Sequence, residues 1–244
     1  MTVAIPTPEE LREISDRFED SWPDEVLRWA IDTYGSGLTM ATAFGAEGCV
    51  LMALLAQIEP HSRHVRVFNL ETGYQFPETL ELREQIKEKY GIEVEYVHAS
   101  ESVADMERRH GGPIYATHPD ECCRIRKIVP LRQALRGHTA WISAIRRDQT
   151  PHRAKAGIVE WDAKFNLVKI NPLANWSQRD VWTYISINEV PYNPLHDQGY
   201  PSIGCWPCTR AVQVGDDERS GRWSNIAKLE CGIHLQGNID GAGI

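Results

Sequence analysis

Four of the six cysteines come in two pairs whose spacing could hold metal: "ECCRIRK" sets Cys122 beside Cys123, and far downstream "GCWPC" sets Cys205 and Cys208 in a C-x-x-C. Four thiolates in tetrahedral arrangement suit either a structural Zn²⁺ or an iron–sulfur cluster. Structural zinc usually draws on two C-x-x-C-type knuckles and adjacent cysteines make a poor one, so a multi-iron cluster is the better geometric match. The competing reading is a redox dithiol at the C-x-x-C, with the adjacent pair buried as small hydrophobes. The stretch around Cys122 and Cys123 reads as a helix start, where free N–H groups and the helix dipole favour thiolates, and Arg124, Arg126 and Lys127 add positive charge. Pro130 should spoil that helix's regularity, because it removes one bond and presses on the preceding turn.

The other two cysteines differ from these and from each other. Cys49 lies in the apolar helical run "GCVLMALL" and is expected in the core. Cys231, in "KLECGIH", stands on a polar segment beside Lys228 and His234, both able to stabilise a thiolate, which is the reactive form. An inert exposed thiol is the alternative. Basic residues cluster in "CCRIRK", "IRRDQTPHRAK", "CTR" and "ERSGRW". Taken singly, each arginine reads as a solvated charge. Arg219 and Arg222, three apart and next to Trp223, could fork onto a phosphate or sulfate. Together these features point to nucleophilic attack on an anionic group, and the pattern alone leaves open which one.

The elements that must position these residues alternate. "PEELREISDRFED" and "DEVLRWAIDTY" have helical spacing, "GLTMATAF" (37–44) is a buried strand, and "GAEGCVLMALLAQI" returns to a helix. "HVRVFNL" (64–70) is a second strand, followed by a helix closed by Gly91 and a third strand in "IEVEYVHA". "TAWISAI" (139–145) and "NLVKINPL" (166–173) are expected as the fourth and fifth strands, and "SQRDVWTYISINE" (177–189) as a helix capped by Ser177 and ended before Pro191. Strands separated by helices imply an α/β fold, a mostly parallel sheet covered by helices on both faces. We divide the chain at 190: residues 1–190 form the α/β domain, and 191–244, rich in Pro, Gly and polar residues, form a loop-rich segment of the same domain that completes the cysteine set and carries the tail.

At 244 residues and 42% hydrophobic content the chain can bury a core without disulfides. A formal charge of −8 argues against a nucleic-acid or anionic-membrane partner, while local clusters still allow a small anionic substrate. No apolar run approaches the roughly 20 residues of a membrane helix. The N-terminus, "MTVAIPTPEELREISDRFEDSW", lacks the features of a secretory signal, so a cytoplasmic location is expected. There, uneven cysteines suggest metal or redox chemistry over disulfides.

Between residues 35 and 235 the chain resembles the assimilatory sulfonucleotide reductases, specifically the iron–sulfur adenylylsulfate (APS) reductases. The resemblance is carried by "FGAEGCVLMALLA", "NLETGYQFPETLELRE", "CCRIRKIVPL", "RRDQTPHRAK", "YNPLHDQGYPSIGCWPCTR", "ERSGRW" and "ECGIH". It implies an adenine-nucleotide alpha-hydrolase-like fold, similar to the ATP pyrophosphatases, and a [4Fe–4S] cluster on Cys122, Cys123, Cys205 and Cys208. It also implies that Cys231 attacks the sulfur of APS, expels AMP and becomes an S-sulfocysteine from which thioredoxin releases sulfite. Lys127, Arg153, Arg219, Arg222 and His234 match positions around the phosphosulfate, with Arg210 a weaker candidate. Lys127, four residues past Cys123, would couple the cluster electrostatically to the substrate, which gives the cluster a charge-tuning role outside electron transfer. The nucleotide would lie at the carboxyl ends of the strands against "TAFGAEG" and "LETGY", which brings in Phe44, Gly45, Thr72 and Gly73.

The chain departs from the commonest pattern at several places. It has Thr42 to Gly48 where many relatives read "SFSGAED", closer in its first part to the "SFG" of cluster-free phosphoadenylylsulfate (PAPS) reductases; Glu71 where Asp is usual; and Leu229 where Thr is frequent. No fused thioredoxin-like domain follows "ECGIH", so a separate reductant is expected. The alternatives are a PAPS reductase that keeps the cluster, a pyrophosphatase-type enzyme, which wants an "SGGxDS" loop that is absent here, and a non-catalytic metal-binding regulator indifferent to loss of Cys231.

Overall fold

Strands that are apolar along their whole length need cover on both faces, and that requirement sets the architecture. The computed structural model describes residues 6–58, 64–213, 215–224, 228, 230 and 232–234. Among them β1 (Leu38–Thr42), β2 (Arg66–Glu71), β3 (Val94–His98), β4 (Ala140–Ile142), β5 (Val159–Asp162) and β6 (Leu167–Ile170) form a six-stranded sheet in the order β3-β2-β1-β4-β6-β5. All neighbours are parallel except the β5–β6 hairpin. Met40 in β1 sits opposite Val67 on one side and Ile142 on the other.

The helices in chain order are α1 (Pro8–Arg17), α2 (Pro23–Tyr34), α3 (Ala46–Gln57), α4 (Pro77–Tyr90), α5 (Val103–His110), α6 (Ile114–Thr117), α7 (Pro119–Cys123), α8 (Val129–Ala134) and α9 (Gln178–Asn188). Alternation along the strands divides the core. Val67, Met40 and Ile142 pack with α2, α3, α4 and α9, while Phe68 and Trp141 pack with Leu131 and Ala134 of α8 and its C-cap Leu135 on the other face. α3 lies deep in the first layer, with Cys49 to Met52 at 0% exposure, so Cys49 is core as its apolar run implies. The expected Ser177 cap is formed: its side chain accepts the Asp180 N–H at 3.2 Å. Gly91 closes α4 at φ +67°.

Two expectations are corrected. β5 is absent from the sequence reading, because "VEWD" buries only Val159 fully and so lacks a two-sided apolar signature; Asn166, at φ +59°, makes the turn that pairs it with β6. The cysteine pair does not open a helix. α7 begins at Pro119, which has no N–H to satisfy and a φ suited to the first helical position, and Cys122 and Cys123 are its last residues. The break expected from Pro130 does occur. Arg124–Ile128 form a π-helical turn in which the Val129 N–H reaches back to the Arg124 carbonyl, so the chain passes Pro130 without an α-helical bond to its missing donor.

Strand order reverses between β1 and β4, so loops leaving their carboxyl ends diverge and open a crevice. Its β1 side depends on Gly48, where an added Cβ would lie 2.7 Å from the Thr42 hydroxyl that holds the next turn. Alanine is the better helix former, yet we expect Gly48→Ala to destabilise the protein by about 1–3 kcal/mol. Thermal unfolding checks this, with a Tm drop of several degrees.

Candidate functional site

The turn from β1 into α3 forms one edge of the crevice. Thr42 Oγ1 accepts the Phe44 N–H at 3.0 Å, which holds Phe44 at φ +54° with its ring only 1% exposed. A left-handed aromatic residue is strained, and buried packing of the ring keeps it there. Phe44 thus supports the turn from below, while Ala43, Gly45, Glu47 and Gly48 line the cleft. Thr72 lines it from the β2 loop and lies 3.3 Å from Cys205 Sγ. Gly73, at φ +76°, is beside the cleft wall, where a Cβ would meet Val103 and the Arg126 guanidinium. Arg126 in turn donates to the carbonyls of Thr72 (2.7 Å) and Glu101 (2.6 Å), which ties the π turn to the β2 loop.

Four cations and one histidine form the opposite wall. Lys127, Arg153, Arg219, Arg222 and His234 all line the same cleft, whereas Arg210 is exposed outside it. The Arg219–Trp223 segment is held against the second cysteine pair by an antiparallel bridge from Thr209 to Arg222 and by a bond from the Trp223 N–H to the Cys208 carbonyl at 3.1 Å. Gly204 leaves room there for the Arg222 guanidinium, which an added Cβ would push aside. That guanidinium lies 4.5 Å from the Trp223 ring, and its Nε is buried with no partner among the described residues. The His234 ring is parallel to Trp141, with centroids 6.2 Å apart. Burial, reinforced by Arg153, Lys169, Arg219 and Lys164, holds its pKa well below the ordinary value, so the ring is a neutral imidazole.

Carboxylates balance this charge. Arg146, in the loop after β4 and 0% exposed, meets Glu47 at 2.9 Å, Asp148 at 3.2 Å and Glu218 at 3.0 Å. Burial raises the Glu218 pKa, with Arg146 opposing and Glu47 and Asp148 adding to the shift. Glu230 joins the cationic wall directly: Arg153 donates to its Oε2 through Nε (3.1 Å) and Nη2 (2.8 Å), and Arg219 to its Oε1 at 3.3 Å. None of these acids was expected at the site. The available signal was position, since Glu47 lies in the first turn of α3 and Arg146 in the loop after the parallel strand β4 at the switch point.

The two cysteine pairs meet at a second, small cavity beside the cleft, lined by Cys122, Cys123, Cys205 and Cys208 with Tyr74, Tyr115 and Trp223. Lys127 and Cys205 line both spaces. Burial first, then the neighbouring thiols, push Cys122 up to about 12. Cys208 shifts the same way, and Lys127 opposes both. These thiols are therefore protonated unless a ligand takes the place of the protons. Among the described residues no three His, Cys, Asp or Glu side chains converge on one point as a single metal ion requires.

Cys231 lies outside the described residues, as does Leu229. Their neighbours are docked on the domain. Lys228 pairs with Asp120, Lys164 Nζ donates to the Gly232 carbonyl, and Ile233 packs beside Leu131 and Trp141. Gly232 has φ +83°, which explains glycine after the cysteine.

Residues 37–211 match the phosphoadenosine phosphosulfate reductase domain family. The chain is 45% identical to adenosine 5'-phosphosulfate reductase 1 of Bacillus subtilis over 86% of its own length and 89% of that protein. It is 43% identical to phosphoadenosine 5'-phosphosulfate reductase of Gloeobacter violaceus, over 92% of this chain and 93% of that one. Among solved structures it is similar to phosphoadenylyl-sulfate reductase from Candida auris in a phosphate complex, at TM-score 0.74 and 28% identity, covering 85% of this chain and 98% of that one. FMN adenylyltransferase of Candida glabrata in complex with ATP shares the fold alone, at TM-score 0.55 and 12% identity over 84% of this chain and 65% of that one. The adenine-nucleotide alpha-hydrolase-like architecture expected from the motifs is thus the one observed.

Arg146 is the test of the balance of charge. Removing it strands Glu47, Asp148 and Glu218 together, and we expect Arg146→Ala to cost about 3–5 kcal/mol. Urea unfolding should show a lower midpoint at unchanged slope, partly restored by adding Glu218→Gln.

Proposed function

We propose that this chain, which belongs to the phosphoadenosine phosphosulfate reductase family, reduces adenosine 5'-phosphosulfate to sulfite and AMP as a step of sulfate assimilation. The observation that carries this reading is the single cleft in which Lys127, Arg153, Arg219, Arg222 and His234 face the β1 and β2 loops, with the residues on either side of Cys231 docked upon it. Relatives at 41–45% identity that bear the name adenosine 5'-phosphosulfate reductase support the choice of substrate.

In this mechanism the Cys231 thiolate attacks the sulfur of the phosphosulfate. The bond from sulfur to the bridging oxygen breaks, its electron pair leaves on that oxygen as AMP, and the sulfonate remains on Cys231. A thiolate of a dithiol protein of the thioredoxin kind then attacks the Cys231 sulfur and expels sulfite. Its second thiol closes the partner's own disulfide and frees Cys231, so two electrons pass from the dithiol to the transferred sulfur. Arg153, Arg219, Arg222 and Lys127 hold the charge that grows on the leaving phosphate, and neutral His234 donates a hydrogen bond to the same oxygens. Gly45, Thr72 and the turn supported by Phe44 and Gly73 receive the adenosine.

The cofactor assigned to Cys122, Cys123, Cys205 and Cys208 is a [4Fe–4S] cluster. The donor set fits: four thiols line one small cavity, and a cubane needs each thiolate to take a different iron, which a shared lining provides and a single point of convergence does not. When bound, it supplies a fixed charge beside Lys127 and joins α7 to residues 205–208. On this reading residues 191–244 complete the site built by residues 1–190 and belong to the same domain.

A second reading, reduction of the 3'-phosphorylated nucleotide, is favoured by the Gloeobacter relative's name and by Gly45 in "TAFGAEG". Steady-state rates with reduced thioredoxin decide: we expect kcat/KM to favour the unphosphorylated substrate, and the opposite preference would exchange the two readings. For the nucleophile, Cys231→Ser should abolish sulfite formation while the brown colour of the cluster remains. Mass spectrometry after mixing the parent chain with substrate alone should show one added SO₃ group, located on Cys231.

A further inference from the structure

We propose that Glu230 occupies the place of the substrate's anionic group and is exchanged for it on binding, which makes Glu230 a positioning residue for the segment that carries Cys231. The inference rests on the function proposed above. Both oxygens of the Glu230 carboxylate are engaged, Oε2 by two donors of Arg153 and Oε1 by Arg219. That two-sided fork is how guanidinium groups take a phosphate or sulfate. Arg153 is 8% exposed and Glu230 4%, so this is a desolvated pair in the cleft and not a rim contact. A carboxylate buried to this extent needs such partners, and the partners are the two arginines to which the nucleotide's anion must come.

An arriving anion has two courses. Joining the fork beside Glu230 would bring two like charges onto the same pair of cations in a low-dielectric cleft. Replacing it avoids that repulsion and leaves Arg153 and Arg219 paired throughout. Exchange has a second effect, because Glu230 immediately precedes Cys231 in sequence. Other contacts among the described residues, Lys228 with Asp120, Lys164 with the Gly232 carbonyl and His234 on Trp141, involve other partners and can persist when the fork changes hands. Substrate binding and placement of the nucleophile are thereby linked through one carboxylate.

A site filled by its own chain binds a ligand more weakly by the fraction of time it is vacant. If Glu230 holds the fork nine-tenths of the time, neutralising it strengthens ligand binding about tenfold. The test uses the full chain with Glu230→Gln and, separately, Glu230→Ala, titrated by calorimetry with AMP, which cannot be turned over. Inorganic sulfate serves as a second probe in thermal melts. We expect both variants to bind AMP about tenfold more tightly than the parent, and sulfate to raise their Tm further than it raises the parent's. Equal or weaker AMP affinity in the folded variants overturns the inference, as does an equal response to sulfate. Should neither variant fold, the parent is assayed for release of the peptide after Lys228 by trypsin: sulfate must accelerate it, and an unchanged rate overturns the inference. Tighter AMP binding without reduction of adenosine 5'-phosphosulfate by the parent would remove only the proposed function. Reduction by the parent with unchanged AMP affinity in the variants would remove only this inference.

Discussion

Arg153 and Arg219 close on one carboxylate, that of Glu230, and much of the surrounding structure serves to hold those two cations side by side. Two guanidinium groups gripping a single carboxylate stand on the order of 5–6 Å apart, where their mutual repulsion at an effective dielectric of about 20 is about 3 kcal/mol. The acidic residue offsets that repulsion, and supports behind each arginine fix the geometry. Gln149 accepts from Arg153 Nη1 at 2.5 Å, and Ser202 accepts from Arg219 at 3.4 Å. Gln149 is itself held by its bond to Glu47 at 3.0 Å, which belongs to the carboxylate set around Arg146. One continuous polar network therefore runs from α3 through the loop after β4 to the chain's last described residues. A protein of net charge −8 can in this way present a locally cationic cleft.

The fold supplies what that network cannot, a rigid place to stand. The parallel strands β1 and β4 end side by side, and the loops leaving them separate, so the residues just beyond strand ends face each other across the crevice. Trp141, one residue before the end of β4, packs into the α8 layer and offers its ring face to His234. The thiol cavity has a comparable foundation. Tyr74, Met106, Ile114 and Ile125 form a small apolar cluster with Cys122, so α5 and α6 build a wall whose position the sheet determines through the β2 loop. Arg126 closes this arrangement by bonding backbone carbonyls on both sides of β3.

Much of this was legible in the residues alone. Period-two and period-3.6 patterning located five of the strands and the main helices, because burial on two faces leaves continuous apolar runs. The pairing of Cys122 and Cys123 with Cys205 and Cys208 was legible as a set, since spacing survives any local conformation. What failed was local. β5 is half-exposed and alternates weakly, and the boundaries of α7 depend on Pro119, whose preference for a first helical position outweighed the pull of the basic residues after the cysteines. The acids of the site were illegible for another reason. Glu47, Glu218 and Glu230 look like surface charges in sequence, and only the convergence of α3 and two later segments on Arg146 and Arg153 gives them partners.

The tail contacts differ in kind, and that difference orders their importance. Lys228, itself buried, reaches Asp120, whose side chain is 64% exposed, so the pair is open to solvent at one end and weakens with salt. Lys164 to the Gly232 carbonyl is a charge-assisted bond near the surface, and Ile233 and His234 add apolar area against Trp141. Of these, Lys228, Lys164 and the Gly232 carbonyl are not among the residues that line the cleft, whereas His234 is. Among the described residues of the segment, the Glu230 pair is a buried ion pair that lines the cleft, and on the exchange proposed above the cleft's occupant acts there first. Under the proposed mechanism the nucleophile meets a bound nucleotide and afterwards a protein dithiol, and its carrier then needs one switchable attachment among several constant ones. Among the described residues of 228–234 the contacts have that form, with the Glu230 fork between the contacts of Lys228 and those of Gly232 and His234.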